Sequence, residues 1–441
     1  MKKFQRLSST FFVMLVLIVF ASCGNSDPKE TEISPFSNGG EERNMIVILS
    51  DMHLGADLEY AECKDNLPSL EKLLKQIKAA PNVKELVIAG DLLDEWFVPA
   101  PIDTYQGKDQ ADFVQRIAAA NKGVFDALNS IIQEKKILVT YVPGNHDLTI
   151  TEANVDLILP GINQKRDPEL GLGTYSPVGY PEIAIEHGHR YNFFCAPDPI
   201  SNQVIAPGTI LPPGYFFTRI AALHVSQGFP QAGDTVPSVT QNTSGDDSQN
   251  SLFAYWKMWE WTLKTFKIEN KFDEKVIVTN VDGFTGNFSV NDVLPYQATS
   301  GGFIDVDLYN GIQYSWSQRQ VLNHVPVSIP VQQAIAGSAT ASEMDGQAKN
   351  QYFLNPDSEV RIVVFGHTHV PKMEASNNHK GLKSIYANSG TWIDHNGLDS
   401  TAMNFVVITP QNDDPSSQTY VKLYSFKNEI VAEMAADSLQ L

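Results

Sequence analysis

The sequence predicts an α/β fold. Short apolar runs of strand length recur along the chain, apolar residues at helical spacing separate the early ones, and polar motifs follow where the runs end. An apolar share of 42% and a charged share of 19% describe a globular chain and exclude a disordered one. With 441 residues there is room for one α/β core carrying a large insertion.

The first segment stands apart from the fold. A basic start, Met1-Lys2-Lys3-Phe4-Gln5-Arg6, precedes an apolar run over 11–20 that is too short to span a bilayer, and Ala21-Ser22-Cys23 closes it. Residues 1–22 therefore read as an export signal. The cysteine after two small residues resembles a bacterial lipoprotein signal, which implies lipidation of Cys23 and attachment to a membrane of the cell envelope. Phe20 departs from that pattern, which has Leu there; ordinary secretion with cleavage near Ala21 is the alternative. Cleavage removes Lys2, Lys3 and Arg6 and no acid, taking the net charge from −19 to −22. So acidic a surface repels nucleic-acid backbones and anionic headgroups, and leaves a phosphate substrate to metal cations or local basic groups. Cys63 and Cys195 could pair in an oxidising envelope or stand as isolated thiols.

Residues 23–44 are polar and rich in Ser, Pro, Gly and Glu, the composition of a flexible tether. Met45-Ile46-Val47-Ile48-Leu49 opens the fold as a strand, and similar runs follow at 85–89, 136–142, 182–185, 360–365, 384–387 and 405–409. Between the early runs, Leu67, Leu70, Leu73, Leu74 and Ile77 form one helical stripe; Phe113, Ile117, Val124, Leu128 and Ile131 form another. The rhythm breaks over 191–355, which divides the chain into a core of 45–190 plus 356–441 and an inserted cap. Helices are expected there at 215–227 and 252–267, and loops at 231–250 and 337–350. The second helix carries Trp256, Trp259 and Trp261 and is apolar nearly all round, so it is buried on two sides or meets something apolar.

Five motifs follow five strand runs: Ser50-Asp51-Met52-His53, Gly90-Asp91-Leu92-Leu93-Asp94, Gly144-Asn145-His146-Asp147, Glu186-His187-Gly188-His189 and Gly366-His367-Thr368-His369. Each sits where an α/β sheet presents its site, at a strand's C-terminal tip. Six of the ten histidines fall in them. Carboxylate, amide carbonyl and imidazole together suit Mn, Fe(II) or Zn, and the lack of cysteine ligands argues against a structural zinc knuckle. Taken singly, Asp51 or Asn145 would read as a turn or cap residue; the set reads as a metal centre.

These five blocks, in this order over residues 51–369, resemble the calcineurin-like metallophosphoesterase superfamily. The resemblance implies a four-layer αββα sandwich and hydrolysis of a phosphate ester or pyrophosphate between two divalent metal ions. It implies that Asp51, His53 and His369 bind the first metal, that Asn145, His187 and His367 bind the second, and that Asp91 bridges them. By the same likeness His146, held by Asp147, serves the phosphoryl group or the leaving oxygen, and Asp94 orients a neighbouring ligand. His189 and Arg190 are candidates to touch the substrate, with a core hydrogen bond and a surface ion pair as their structural alternatives. Asn388-Ser389-Gly390-Thr391-Trp392 resembles the loop that supports the last motif. Asp94 stands where purple acid phosphatases would have Tyr, which disfavours that branch. Gly90 through Trp96 look closer to UDP-2,3-diacylglucosamine pyrophosphatases, although that branch has Arg in place of His146 and a cytoplasmic substrate. The alternatives are a lipid- or sugar-nucleotide pyrophosphatase with an acyl-gripping cap, and a non-catalytic envelope binder that retains the metal site.

Overall fold

The computed structural model describes residues 34–395, 402–412, 416–427 and 430–441. The expected export signal, Cys23 and most of the tether lie outside the described residues. The core begins with β1 Met45–Leu49, α1 Leu67–Ala79, β2 Val83–Ala89, α2 Gln110–Ala120, α3 Lys122–Glu134, β3 Leu138–Val142, α4 Glu152–Ile158, β4 Asn163–Gln164 and β5 Ile183–Ile185. The cap segment contributes α5 Gly214–Ser226, α6 Asp247–Thr265, the hairpin β6 Ile277–Val281 and β7 Phe284–Phe288, α7 Val290–Val293, β8 Tyr296–Gln297, β9 Ile304–Asp305, α8 Ile312–Leu322, α9 Val331–Gly337 and α10 Ala341–Ala348. A π-helical turn, Lys349–Phe353, leads back to the core strands β10 Ile362–Phe365, β11 Lys372–Asn377, β12 Lys383–Asn388, β13 Asn404–Thr409, β14 Thr419–Lys427 and β15 Ile430–Leu439.

The core strands form two sheets, and the cap strands pair as β6-β7 and β8-β9. One core sheet has the order β15-β14-β13-β1-β2-β3-β4 and the other β11-β12-β10-β5. Strands β1 to β4 run parallel, and so do β5, β10 and β12, so the motif-bearing tips fall at the same end of each sheet. The sheets face each other through Ile46, Ile48, Val87, Ala89 and Val142 on one side and Ile183, Ile185, Ile362, Val364 and Ile385 on the other. The alternate residues Val47, Leu49, Leu86 and Ile88 point outward to the stripes of α1 and α3, including Leu70, Leu73, Leu128 and Ile131. Val363 and Phe365 face outward from the second sheet, toward the layer that contains Ala348 and Phe353. Burial on both faces is why these strands read as continuous apolar runs instead of alternating ones. The layers are helix, sheet, sheet and helix, as the resemblance implied.

Three expectations are corrected. The second helical stripe is two helices, broken at Asn121, whose side-chain amide donates to the carbonyls of Ile117 and Gly55, each at 2.9 Å. Most of 337–350 is helical, not loop: its small residues carry little apolar periodicity, but Ala334, Ile335, Met344 and Ala348 are buried in tertiary contacts that override the weak local signal. The tether is shorter than its composition suggested, for Phe36 is buried with its ring stacked 5.6 Å from that of Phe405.

Cap and core make one compact unit over Pro35–Leu441. Arg219, fully buried on α5, donates to the carbonyls of Val98 at 2.7 Å, Ala100 at 3.1 Å and Ile102 at 2.6 Å, which ties the loop after β2 to the cap. Trp256 and Trp259 are buried; Trp259 stacks on Phe217 at 3.9 Å and Trp256 on Phe253 at 5.7 Å. Trp261 stays exposed. Cys63 and Cys195 are both free thiols, so the option of a disulfide between them is not taken up. Among the described residues, no helix is long and apolar enough to cross a membrane.

Candidate metal centre

The five motifs converge on one buried point. Asp51, His53, Asp91, Asn145 and His187 are each 3% exposed or less. Five of the expected ligands have left-handed backbone: Asp51 at φ 51°, His53 at 46°, Asp91 at 51°, His367 at 72° and His369 at 59°. Such conformations cost about 1–3 kcal/mol each in non-glycine residues and persist only where surrounding structure imposes them. Here the first two loops are laced together: Asp51 N–H donates to the Gly90 carbonyl at 3.1 Å and His53 N–H to that of Asp91 at 3.0 Å. The glycines ahead of the ligands allow the approach. At Gly90, φ 90°, a Cβ would lie 2.4 Å from His187 Nδ1, and at Gly144 one would lie 2.1 Å from Asp91 Oδ1.

Among the described residues three groups could hold a metal ion: His53 with Glu62, Asp94 and His146; and, made of the expected ligands alone, Asp51 with His53 and His369, and Asp51 with Asp91 and His187. His369 Nε2 is 3.2 Å from Asp51 Oδ1 and 3.1 Å from His53 Nε2. Asp91 Oδ2 is 3.0 Å from His187 Nε2 and 3.6 Å from His53 Nε2, so this carboxylate spans both groups. Asn145 Oδ1 completes the second side, 3.1 Å from His187 Nε2 and 2.8 Å from His367 Nδ1.

The protons show what the centre needs. His187 Nδ1 lies 2.9 Å from the Ala89 carbonyl, which can only accept, so Nδ1 carries a proton. The Nε2 lone pair then points at the Asp91 and Asn145 oxygens, and acceptors facing acceptors require a cation or a further proton between them. His53 repeats the pattern: its Nδ1 faces Asp94 Oδ2 at 3.0 Å and Glu62 Oε2 at 3.2 Å, leaving Nε2 toward Asp51, Asp91 and His369. In the metal-free protein a proton fills the role. Burial opposes the charge on His187, but Asp91 and Asp51 outweigh it and push its pKa up to about 9. Ligands turned inward, with their outer nitrogens bonded to carbonyl and carboxylate, are the arrangement of a divalent-metal site.

His146 sits at the edge with its side chain 12% exposed, and its backbone N–H donates to Asp91 Oδ1 at 2.8 Å. The resemblance implies a pairing of His146 with Asp147; in the structure its ring meets Asp94 instead. His146 Nδ1 is 2.9 Å from Asp94 Oδ1, while Asp147 accepts from the backbone N–H groups of Gly144 at 2.6 Å, Leu92 at 2.9 Å and Leu93 at 3.2 Å. Asp147 therefore fixes the loops that carry Asp91 and Asn145 and does not touch the His146 ring. Burial works against the Asp94 carboxylate, yet His146 and His53 hold its pKa well below the usual range. Trp96 lies beside His146, ring centroids 5.0 Å apart and planes tilted by 31°.

Arg190 is corrected as well. It is buried, with Nε 2.9 Å from Glu186 Oε2 and Nη2 donating to the Gly173 carbonyl at 3.2 Å and Thr174 Oγ1 at 3.0 Å. Those donors are spent inside the fold, so Arg190 makes neither a surface ion pair nor a free phosphate clamp. His189 is buried with neither ring nitrogen hydrogen-bonded, its centroid 5.4 Å from that of His187. The loop after β12 supports two motifs at once. Asn388 donates to the Gly366 carbonyl at 2.7 Å and Thr368 Oγ1 at 3.0 Å, and Thr391 Oγ1 and Trp392 N–H donate to the Asp51 carbonyl at 3.0 and 2.9 Å. Glu62, in none of the motifs, was missed; only its nearness to His53 in the chain could have flagged it.

Residues 45–207 match the family model for calcineurin-like phosphoesterases. No curated protein matches the chain. Among solved structures, a Vps29 single mutant from Entamoeba histolytica is 10% identical with a TM-score of 0.29, covering 90% of this chain and 99% of its own. N-acetyl-D-glucosamine-6-phosphate deacetylase from Mycobacterium smegmatis is 10% identical with a TM-score of 0.15, covering 73% of this chain and 68% of its own. Likenesses this slight bear on neither fold nor function.

Proposed function

From the match of residues 45–207 to the family model for calcineurin-like phosphoesterases, we propose that the chain is an envelope hydrolase that cleaves a phosphate ester or pyrophosphate with two divalent cations. Asp51, His53 and His369 would hold one, Asn145, His187 and His367 the other, and Asp91 both. The observation that carries this reading is the inward convergence of acceptors, with Asp91 Oδ2 facing both His187 Nε2 and His53 Nε2. Bound there, Mn, Fe(II) or Zn would supply an acidified water and charge neutralisation for a phosphoryl group.

The chain's own residues account for the rest. Asp94 fixes the His146 ring through Nδ1 and keeps Nε2 turned away for a ligand. Burial opposes a charge on His146, but Asp94 raises its pKa, which favours the protonated ring that would hand a proton from Nε2 to the leaving oxygen. His189 has unused hydrogen-bonding capacity, which at a buried site costs about 1–3 kcal/mol and is relieved by a bound ligand. Trp256 and Trp259, filling the cap's own core, offer no surface to an acyl tail. That favours short soluble esters over lipid-linked ones. Membrane attachment through Cys23 belongs to the same proposal, and a Cys23→Ser variant that partitions into detergent like the wild type would refute it.

The direct test is hydrolysis of bis(p-nitrophenyl) phosphate and of p-nitrophenyl phosphate by metal-loaded protein. Turnover of at least one is expected. Absence of turnover of both with Mn, Fe and Zn would overturn the reading.

A further inference from the structure

Glu62 lies on the loop between β1 and α1, outside all five motifs. Its Oε2 is 3.2 Å from His53 Nδ1, the nitrogen that Asp94 Oδ2 approaches to 3.0 Å. The side chain is 21% exposed, against 1% for His53, so it lies nearer the solvent than that ring does. The loop that delivers it is anchored. Asp394 N–H donates to the Glu62 carbonyl at 2.8 Å, and the Asp394 carboxylate accepts from the backbone N–H groups of Lys64, Asp65 and Asn66, each at 2.9 Å.

Asp94 is heavily shared. Its Oδ1 takes the His146 ring at 2.9 Å and the backbone N–H groups of Trp96 at 2.9 Å and Phe97 at 2.7 Å, which leaves Oδ2 alone for His53. With one acceptor, an imidazole N–H can tilt about its bond; with acceptors on two sides it is centred. The opposite nitrogen, Nε2, then keeps its line toward Asp51 and His369.

We propose that Glu62 is a positioning residue for His53: it shares the Nδ1 proton with Asp94 and so aims Nε2 into the cation site made with Asp51 and His369. This rests on the two-cation reading above. Partners of ligand imidazoles typically change metal affinity 10–100-fold.

The experiment titrates metal-free wild type, Glu62→Ala and Glu62→Gln with MnCl2 by calorimetry. Gln keeps an acceptor oxygen and loses the charge. Wild type should bind two Mn per chain. Glu62→Ala should weaken one site about tenfold or more and leave the other unchanged, which also shows the variant folded, while Glu62→Gln stays within about threefold. Glu62→Ala within about twofold of wild type at both sites, or Glu62→Gln as weak as Glu62→Ala, would overturn the assignment. Three Mn in wild type falling to two in Glu62→Ala would overturn it too, by making Glu62 a ligand. Wild type that binds no Mn would refute the two-cation reading itself, an outcome distinct from these.

Discussion

The two oxygens of Asp94 serve two imidazoles: Oδ2 lies 3.0 Å from Nδ1 of His53 and Oδ1 lies 2.9 Å from Nδ1 of His146. One carboxylate thus orients both the proposed metal ligand His53 and the proposed proton donor His146. Asp94→Asn should cut kcat by about 10²–10⁴ through His146 and weaken cation binding about 10–100-fold through His53. Steady-state kinetics at saturating Mn separate the two effects; an unchanged kcat there would contradict the pairing.

Asp147 should behave differently. Asp147→Ala leaves three buried backbone N–H groups without an acceptor, at about 1–3 kcal/mol each. Urea unfolding of the metal-free protein should show a loss of several kcal/mol. A variant as stable as wild type that had shifted or lost the alkaline limb of its pH–rate profile would return Asp147 to the His146 ring.

The contrast shows how far the sequence could be read. The convergence of Asp51, Asn145 and His367 was legible because each follows an apolar run, and burial on both sheet faces writes such runs plainly. Which carboxylate reaches the His146 ring was not legible. Asp147 is adjacent in the chain, but its side chain turns back to three backbone amides, and Asp94 arrives from another strand tip. Glu62 was invisible for the same reason, since its meeting with His53 is tertiary. In the cap, aromatic stripes marked α5 and α6, whereas α9 and α10 are built of small and polar residues and depend on burial of Ile335 and Met344.

Stability of the metal-free protein should depend on pH through His187. Its pKa is raised in the fold from 6.5 to about 9, so its contribution is complete below pH 6.5 and fades as pH rises toward 9. His53, raised as well by Glu62, Asp51 and Asp94 against the opposing effect of burial, adds in the same direction. Cations displace these protons, so Mn affinity should increase over the same interval. Melting curves from pH 6 to 9.5 without metal should fall; a rising Tm would contradict the proton's role.

Arg219 should be structural and not part of the chemistry. Arg219→Leu orphans the carbonyls of Val98, Ala100 and Ile102 and removes charge-assisted bonds of about 1.5–3 kcal/mol each. Folded protein recovered at low temperature should retain its cation stoichiometry while its Tm drops by several degrees. Loss of cations without loss of Tm would show that the cap's anchor acts on the site itself.

If Asp91 joins two cation sites, the number of cations held per chain depends on its carboxylate. Metal-free protein reloaded with Mn and freed of excess should contain two Mn per chain in wild type and at most one in Asp91→Ala. Wild type with none, or Asp91→Ala with two, would show that Asp91 does not join two cation sites.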